Sequence, residues 1–385
     1  MKRETGIYRT TVAGGERVRA FVPHPLPPAN PPLVLDEQLS ALLSEAAAAL
    51  GQLAIAGAMV PSADWFLYGF VRKEAVISSQ IEGTQATLRD VLEFEVTEKA
   101  DRPEDVEEVC NYVAALTWAR RELARPKGLP ISSRLFCHAH QRLLRGARGA
   151  NRQPGAIRRS QNWIGGTRPG NARFVPPPPE AVPGAMSALE KWLHRDDRRP
   201  PLVRAGLAHV QFETIHPFLD GNGRIGRLLI TLLLEHWGVL PAPLLYLSLA
   251  LKRHQQEYYQ RLLMVRTEGD WEGWLAFFLE CVSETARDGV AVARRLFALI
   301  GRDRQKLMTQ AGVTIPAVRL FDQLPVHPIV TLSTAIKLLR TTKPTASKAI
   351  AALTGAGILR ETTGKLRDRV YAYHGYLGVL TADEE

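Results

Sequence analysis

His216-Pro217-Phe218-Leu219-Asp220-Gly221-Asn222-Gly223-Arg224-Ile225-Gly226-Arg227 is the part of the chain from which the rest can be read. It sets an imidazole, a carboxylate, an asparagine, three glycines and two arginines between two apolar helical segments. Upstream, residues 201–214 turn Val203, Leu207, Val210 and Thr214 towards a core; downstream, Ile225, Leu228, Leu229, Leu232 and Leu233 repeat at helical spacing until Gly238. Asp220-Gly221-Asn222-Gly223 is a turn sequence, because Gly and Asn adopt positive φ cheaply and let successive N–H groups point into one concavity. The next helix starts near Arg224, so this concavity lies at a helix N-terminus, where unpaired N–H groups and the macrodipole favour an anion. Arg224 and Arg227 share a helical face, and both are expected to reach a bound phosphate chain.

The string resembles the signature loop of Fic-domain proteins, His-Pro-Phe-x-Asp/Glu-Gly-Asn-Gly-Arg-x-x-Arg, and agrees at every specified position. The resemblance extends over about residues 35–300 and implies a mainly α fold, a Fic-type helical core with a small β-hairpin flap. It implies transfer of AMP from ATP to a Ser, Thr or Tyr hydroxyl of a protein, with His216 as general base and Asp220 holding Mg²⁺. Gly221, Asn222, Gly223, Arg224, Gly226 and Arg227 would bind the nucleotide, the two arginines taking the β- and γ-phosphates.

A helix after Pro61-Ser62, with Phe66, Phe70, Val71 and Ala75 on one stripe, runs into Ile77-Ser78-Ser79-Gln80-Ile81-Glu82-Gly83, and Gly83 reads as its stop. Ser78, Glu82 and Gly83 are similar to the family's inhibitory motif. The likeness implies that Glu82 pairs with Arg227 and occupies the guanidinium that would otherwise hold the γ-phosphate.

Residues 146–182 are rich in Gly, Arg and Pro. Asn162 to Ile164 and Arg173 to Val175 read as two extended pieces around Gly165-Gly166-Thr167-Arg168-Pro169-Gly170, a hairpin with a long loop. This resembles the Fic flap, with Trp163, Ile164, Gly165 and Gly166 docking the target by strand addition; a structural surface hairpin is the alternative. The segment from 241 to 267 is similar to the one that closes the base side of the nucleotide pocket, so Tyr246 and His254 are candidate contacts. The family usually has Asn where this chain has His254, and the tyrosines can equally be packing residues. Other helices are expected at 87–96, 103–124, 131–145 and 180–195, with Trp271 to Phe278 and Val292 to Ile300 continuing the array. His138 and His140 do not share a helical face and read as packing or surface residues.

The 385 residues suggest two or three domains, here 1–100, 101–300 and 312–375. Residues 1–33, with Pro23-His24-Pro25-Leu26-Pro27-Pro28 near their end, read as an extended arm; a helix follows with Leu39, Leu42, Leu43, Ala46 and Leu50 on one stripe. From about residue 312 the pattern is that of a winged helix-turn-helix, with Pro344 opening its third helix and strands at Ile358 to Glu361 and Arg369 to Tyr373. Arg340 to Arg369 hold seven Lys and Arg against Glu361 and Asp368, so DNA is a candidate partner and protein docking the alternative. The net charge of +10 fits an acidic partner. Cys110, Cys137 and Cys281 show no metal spacing, there is no signal-peptide pattern, and no run approaches 18 apolar residues; a cytoplasmic protein without a membrane partner is expected. Self-modification, a homodimer, removal of AMP, transfer of another nucleotide, and a DNA-binding regulator with a nucleotide-sensing Fic domain remain open.

Overall fold

The computed structural model describes residues 3–58, 64–146 and 149–382, with the backbone alone at 64–66. The expected helix start at Pro61-Ser62 and the side chain of Phe66 lie outside the described residues. In chain order the elements are β1 (Gly6–Ala13), β2 (Glu16–Pro23), α1 (Glu37–Ala58), α2 (Asp64–Ile81), α3 (Leu88–Thr97), α4 (Pro103–Ala124), α5 (Ser133–Leu143), α6 (Val182–His194), α7 (Pro201–Ile215), α8 (Asn222–His236), α9 (Ser248–Arg253), α10 (Gln255–Glu268) and α11 (Trp271–Met308). A C-terminal unit follows: α12 (Ile315–Gln323), β3 (Ile329–Thr331), α13 (Leu332–Leu339), α14 (Lys343–Gly355), β4 (Leu359–Glu361), β5 (Val370–Tyr373) and α15 (His374–Thr381). The fold is mainly α, as expected.

The helices form where apolar periodicity and end signals agree. Pro103 opens α4 with Glu104 and Asp105 in its first turn, where they complement the helix dipole. Thr87 and Asp90 close a reciprocal capping box on α3. α7 and α8 lie at the centre, and α8 is buried from Arg224 to Leu234. Such helices have no solvent face, so the loop between them is anchored at both ends by packing rather than by propensity.

Three expectations are corrected. Residues 6–23 are not an extended arm but an antiparallel hairpin, turned by Gly14 (φ 55°) and Gly15 (φ 83°) in register Ala13 to Glu16. Ala13, Val18 and Ala20 pack with Val175, and Phe21 N–H donates to Val175 O at 2.9 Å, so this hairpin buttresses the flap. Trp271 to Ile300 is not a pair of helices but part of one 38-residue helix, on the order of 57 Å long. α1 lies along it, closely enough that a Cβ on Gly289 would stand 2.9 Å from Leu53 Cδ1. Finally, one described helix, α1, does reach membrane-spanning length, with a mean hydropathy of 1.5 from its alanines; Leu39, Ala46, Ala49, Leu50 and Leu53 on it are buried within the fold.

In the C-terminal unit β3, β5 and β4 form an antiparallel sheet in that order, with α13 and α14 joined at Arg340 (φ 49°). β3 and α15 were not foreseen. α15 reaches back to the core, where Lys73 Nζ on α2 donates to Leu380 O at 3.0 Å.

Trp274 is wholly buried, its Nε1 donating to Gly206 O at 3.0 Å. Trp274→Ala should lower unfolding free energy by about 3–5 kcal/mol in denaturant titration; a loss under about 1 kcal/mol would contradict this packing.

Candidate functional site

α7 ends on His216, whose N–H donates to Phe212 O at 2.9 Å and whose φ of 50° is left-handed. That cap swings the chain out of the helix and presents the imidazole at the start of the loop. Asn222 then closes the loop on itself: Phe218 N donates to Asn222 Oδ1 at 2.8 Å and Asn222 Nδ2 donates to Phe218 O at 2.9 Å. Both polar atoms of the Asn222 side chain are thus engaged with the loop backbone, so Asn222 shapes the loop rather than cradling phosphate. His140 braces the same loop from α5. It accepts from Gly155 N at Nδ1 (2.9 Å), which leaves Nε2–H to donate to Asp220 O (3.0 Å), and its ring stacks on Phe218. Burial pushes His140 down to about 4, which keeps this tautomer neutral. It packs, as expected, but its work for the loop was not foreseen.

Gly221 (φ 74°) stands as N-cap of α8, and the first N–H groups of that helix face an anion seat. A carboxylate already sits there. A Cβ on Gly223 would collide with Glu82 Oε1, so glycine at this position is what admits Glu82. Glu82 Oε1 accepts from Arg227 Nη2 at 2.7 Å, Ser78 Oγ from Arg227 Nε at 2.9 Å and Ser78 O from Arg227 Nη2 at 2.8 Å. Gly83 (φ 101°) ends the turn after α2 and fixes where Glu82 points. Burial works against the Arg227 charge, and Glu82 foremost opposes that effect. The Arg227 side chain is buried while that of Glu82 is 32% exposed, so the carboxylate is the partner in reach of solvent.

Arg224 behaves otherwise than expected. Its guanidinium is buried and donates to Glu108 of α4 at 2.5 Å, with Asp220 Oδ1 3.6 Å away. It locks α8 to α4 and does not open onto the anion seat. Gly226 is likewise a packing residue: a Cβ there would strike Glu213 Oε1, and its carbonyl accepts from His209 Nδ1 at 3.0 Å. Tyr246 is buried against Phe70 and Lys73. His254 is exposed and faces Glu284 at 3.2 Å. Neither joins the cluster around Arg227.

The His216 side chain is 19% exposed, with Nδ1 4.0 Å from Glu213 Oε2. Burial, then the charges of Arg266 and Arg158, hold it well below the usual histidine range, so the ring is neutral at physiological pH. Burial pushes Glu213 up to about 7 against the pull of Arg227. Asp220 is the outward acid of the loop, 39% exposed, its Oδ1 accepting from Gly221 N at 2.6 Å. No group of three or more His, Cys, Asp or Glu suited to a metal occurs among the described residues. A cation at Asp220 would therefore draw its other ligands from phosphate oxygens and water, the usual habit of Mg²⁺.

The flap is a single bridge, Ile164 to Phe174, rather than two strands, with Ile164 N donating to Phe174 O at 2.8 Å. Trp163 is exposed, and Gly165 and Gly166 take left-handed φ of 68° and 77°. Asn162 Nδ2 donates to Phe218 O at 3.0 Å, tying the flap to the loop.

Residues 40–121 match the Fic/DOC family N-terminal profile and residues 130–234 the Fic/DOC family profile. The protein adenylyltransferase Fic of Drosophila grimshawi is 29% identical over 267 residues, 67% of this chain and 50% of the fly protein. That of Culex quinquefasciatus is 30% identical over 223 residues, 55% of this chain and 41% of its own. The chain thus spans about half or less of the length of the curated relatives it matches. A Fic family protein from Desulfovibrio desulfuricans G20 superposes with a TM-score of 0.57 at 22% identity, over 89% of this chain and 98% of that one. A Fic domain containing signaling protein from Bacteroides thetaiotaomicron gives 0.51 at 18%, over 67% and 95%. These two show a shared fold.

Glu108→Ala would leave the Arg224 guanidinium buried without its carboxylate. The expected cost is about 3–5 kcal/mol in chemical denaturation, and a loss below about 1 kcal/mol would show the pair to be dispensable.

Proposed function

We propose that this chain, whose residues 40–121 and 130–234 match the two Fic/DOC family profiles, transfers AMP from ATP to a hydroxyl side chain of a protein. One observation carries the reading: the His216 imidazole, at the cap of α7, stands at the head of a loop whose other end is the N-terminus of α8. His216 takes the proton of the attacking hydroxyl, the oxygen bonds to the α-phosphorus, and the bond to the β-phosphate breaks to release pyrophosphate. Asp220, exposed beside the seat, is the residue to hold Mg²⁺. When bound there, the ion supplies charge neutralisation on the phosphate oxygens. Gly221 and Gly223 leave the backbone N–H groups of α8 open to the phosphates, and Arg227 takes the γ-phosphate once Glu82 has withdrawn. Glu82 is the restraint in this reading, supported by its ion pair with Arg227 and its place above Gly223. Trp163 to Gly166 align the target segment.

The C-terminal unit supports a second component. Its order of helix, strand, helix, helix and two strands fits a winged helix-turn-helix, and Arg340, Lys343, Lys348, Arg360, Lys365, Arg367 and Arg369 are all exposed. A nucleic-acid duplex suits that face; binding that weakens steeply with added salt would support it, and no salt-sensitive retention would remove it. A cytoplasmic setting goes with the three free cysteines.

Incubation with ATP and Mg²⁺ followed by intact-protein mass spectrometry tests the chemistry through self-modification or an added target. Glu82→Gly should raise AMP incorporation by about tenfold or more, since a charge-assisted bond is worth about 1.5–3 kcal/mol. His216→Ala should lower it by about 10²–10⁴. No AMP increment in any variant would count against the reading. Because a base depressed in pKa stays unprotonated below its ordinary value, the acid limb of the rate should fall below pH 6.5; a limb at 6.5 or above would show that His216 is not held neutral.

A further inference from the structure

The carbonyl end of a helix is the wrong place for a neutral imidazole. The dipole there favours the imidazolium, raising a histidine's pKa, yet His216 caps α7 and is held low. Burial of the ring contributes most to this, and two buried guanidiniums from different elements add to it. Arg158, at the entry to the flap, donates through Nε to His216 O at 2.8 Å and through Nη2 to Ile215 O at 3.4 Å and Pro177 O at 2.6 Å. Its Nη1 reaches Ser160 O at 3.3 Å and its backbone N–H reaches Pro217 O at 2.9 Å. Arg266, on α10, donates through Nη2 to Glu213 O at 3.1 Å and through Nε to Thr214 Oγ1 at 3.2 Å. Its guanidinium lies 4.0 Å from the centre of the Phe174 ring.

Among the described residues neither arginine has a carboxylate within ion-pair distance, although both are buried. A buried cation without a counter-ion is costly. Here the last carbonyls of α7 serve as its partners, and in return their negative end is cancelled beside the imidazole. Both arginines also hold the flap, Arg158 through Pro177 O on its exit and Arg266 through the Phe174 ring, which bridges to Ile164.

We propose that Arg158 and Arg266 are positioning residues that cap the carbonyl end of α7, keep His216 as an unprotonated base, and tie its left-handed turn to the flap. The charged groups facing the imidazole are Arg158 from the flap segment, Arg266 from α10 and Glu213 from its own helix. Glu213, pushed up to about 7 by burial, carries little charge below neutrality and so does not offset the two cations there.

The inference rests on the reading of His216 as base, but its test needs no turnover. NMR of the full chain, labelled at the histidine ring, follows His216 from pH 8 to 5, its signal assigned by His216→Ala. The wild-type ring should remain neutral throughout. Arg266→Gln should move the midpoint up by about one unit or more, so that a protonated fraction grows in by pH 5. A ring equally neutral in both proteins, or a wild-type His216 titrating near 6.5, overturns the proposal. Should Arg266→Gln not fold, Arg266→Lys carries the test. It keeps the charge but not the planar fork, so the ring should stay neutral while the amides of Ile164 and Phe174 exchange faster. Unchanged exchange, or a ring that protonates, overturns it.

Discussion

Arg227 is the charge around which the site is balanced. Its guanidinium is buried, so in the absence of bound phosphate it needs an anionic partner, and Ser78 with Glu82 supplies one from a helix almost 150 residues away, at a separation of 149 and 145. The same carboxylate lies over Gly223 at the N-terminus of α8, where the helix dipole also favours negative charge. Glu82 therefore satisfies two positive features at once. An incoming phosphate would have to replace it at both. Because Glu82 keeps a third of its side chain in contact with solvent, it can leave without burying a bare charge, whereas Arg227 cannot.

The rest of the fold holds the loop from His216 to Arg227 in place from several sides. The loop from His216 to Arg227 is fixed: α7 and α8 are packed into the core, Asn222 closes the loop on Phe218, His140 holds Asp220 O, and Arg224 locks α8 to α4 through Glu108. Prepositioned donors of this kind lose little free energy to reorganisation when charge develops nearby. α2 is held by several different elements of the fold. Glu74, buried and pushed up to about 7, accepts from the N–H and hydroxyl of Ser248. Lys73 reaches Leu380 O, and Arg72 and Tyr68 meet Glu95 of α3. The helix that ends in Glu82 thus touches the catalytic core, α3 and the C-terminal unit.

Much of this was legible in the sequence, for reasons that are local. The signature loop carries its own turn chemistry, and the bounds of α4 follow from Pro103 and a regular apolar stripe. The Glu82 to Arg227 pair followed from family resemblance, not from spacing. What was missed depends on contacts far apart in sequence. Nothing near Arg224 announces Glu108, 116 residues away, and nothing near Asp220 announces His140, 80 residues away. Asn222 and Gly226 look like phosphate ligands in a string of donors, but tertiary packing turns them inward. The hairpin β1–β2 is hard to read from the sequence because Thr10, Arg17 and Arg19 on its exposed face mask a small apolar one made of Ala13, Val18 and Ala20. The continuity of α11 was hidden by the polar stretch Arg287-Asp288-Gly289 at its middle, which the close passage of α1 accommodates.

The account turns on a competition between the Glu82 carboxylate and the last phosphate of the nucleotide. Isothermal titration calorimetry of ATP and ADP, each with Mg²⁺, on wild type and Glu82→Gly measures that competition directly. If Glu82 holds the place of the γ-phosphate, ATP affinity should rise by about tenfold or more in the variant, about 1.4 kcal/mol, while ADP affinity changes by less than about twofold. Equal gains for both nucleotides, or no gain for ATP, would contradict it.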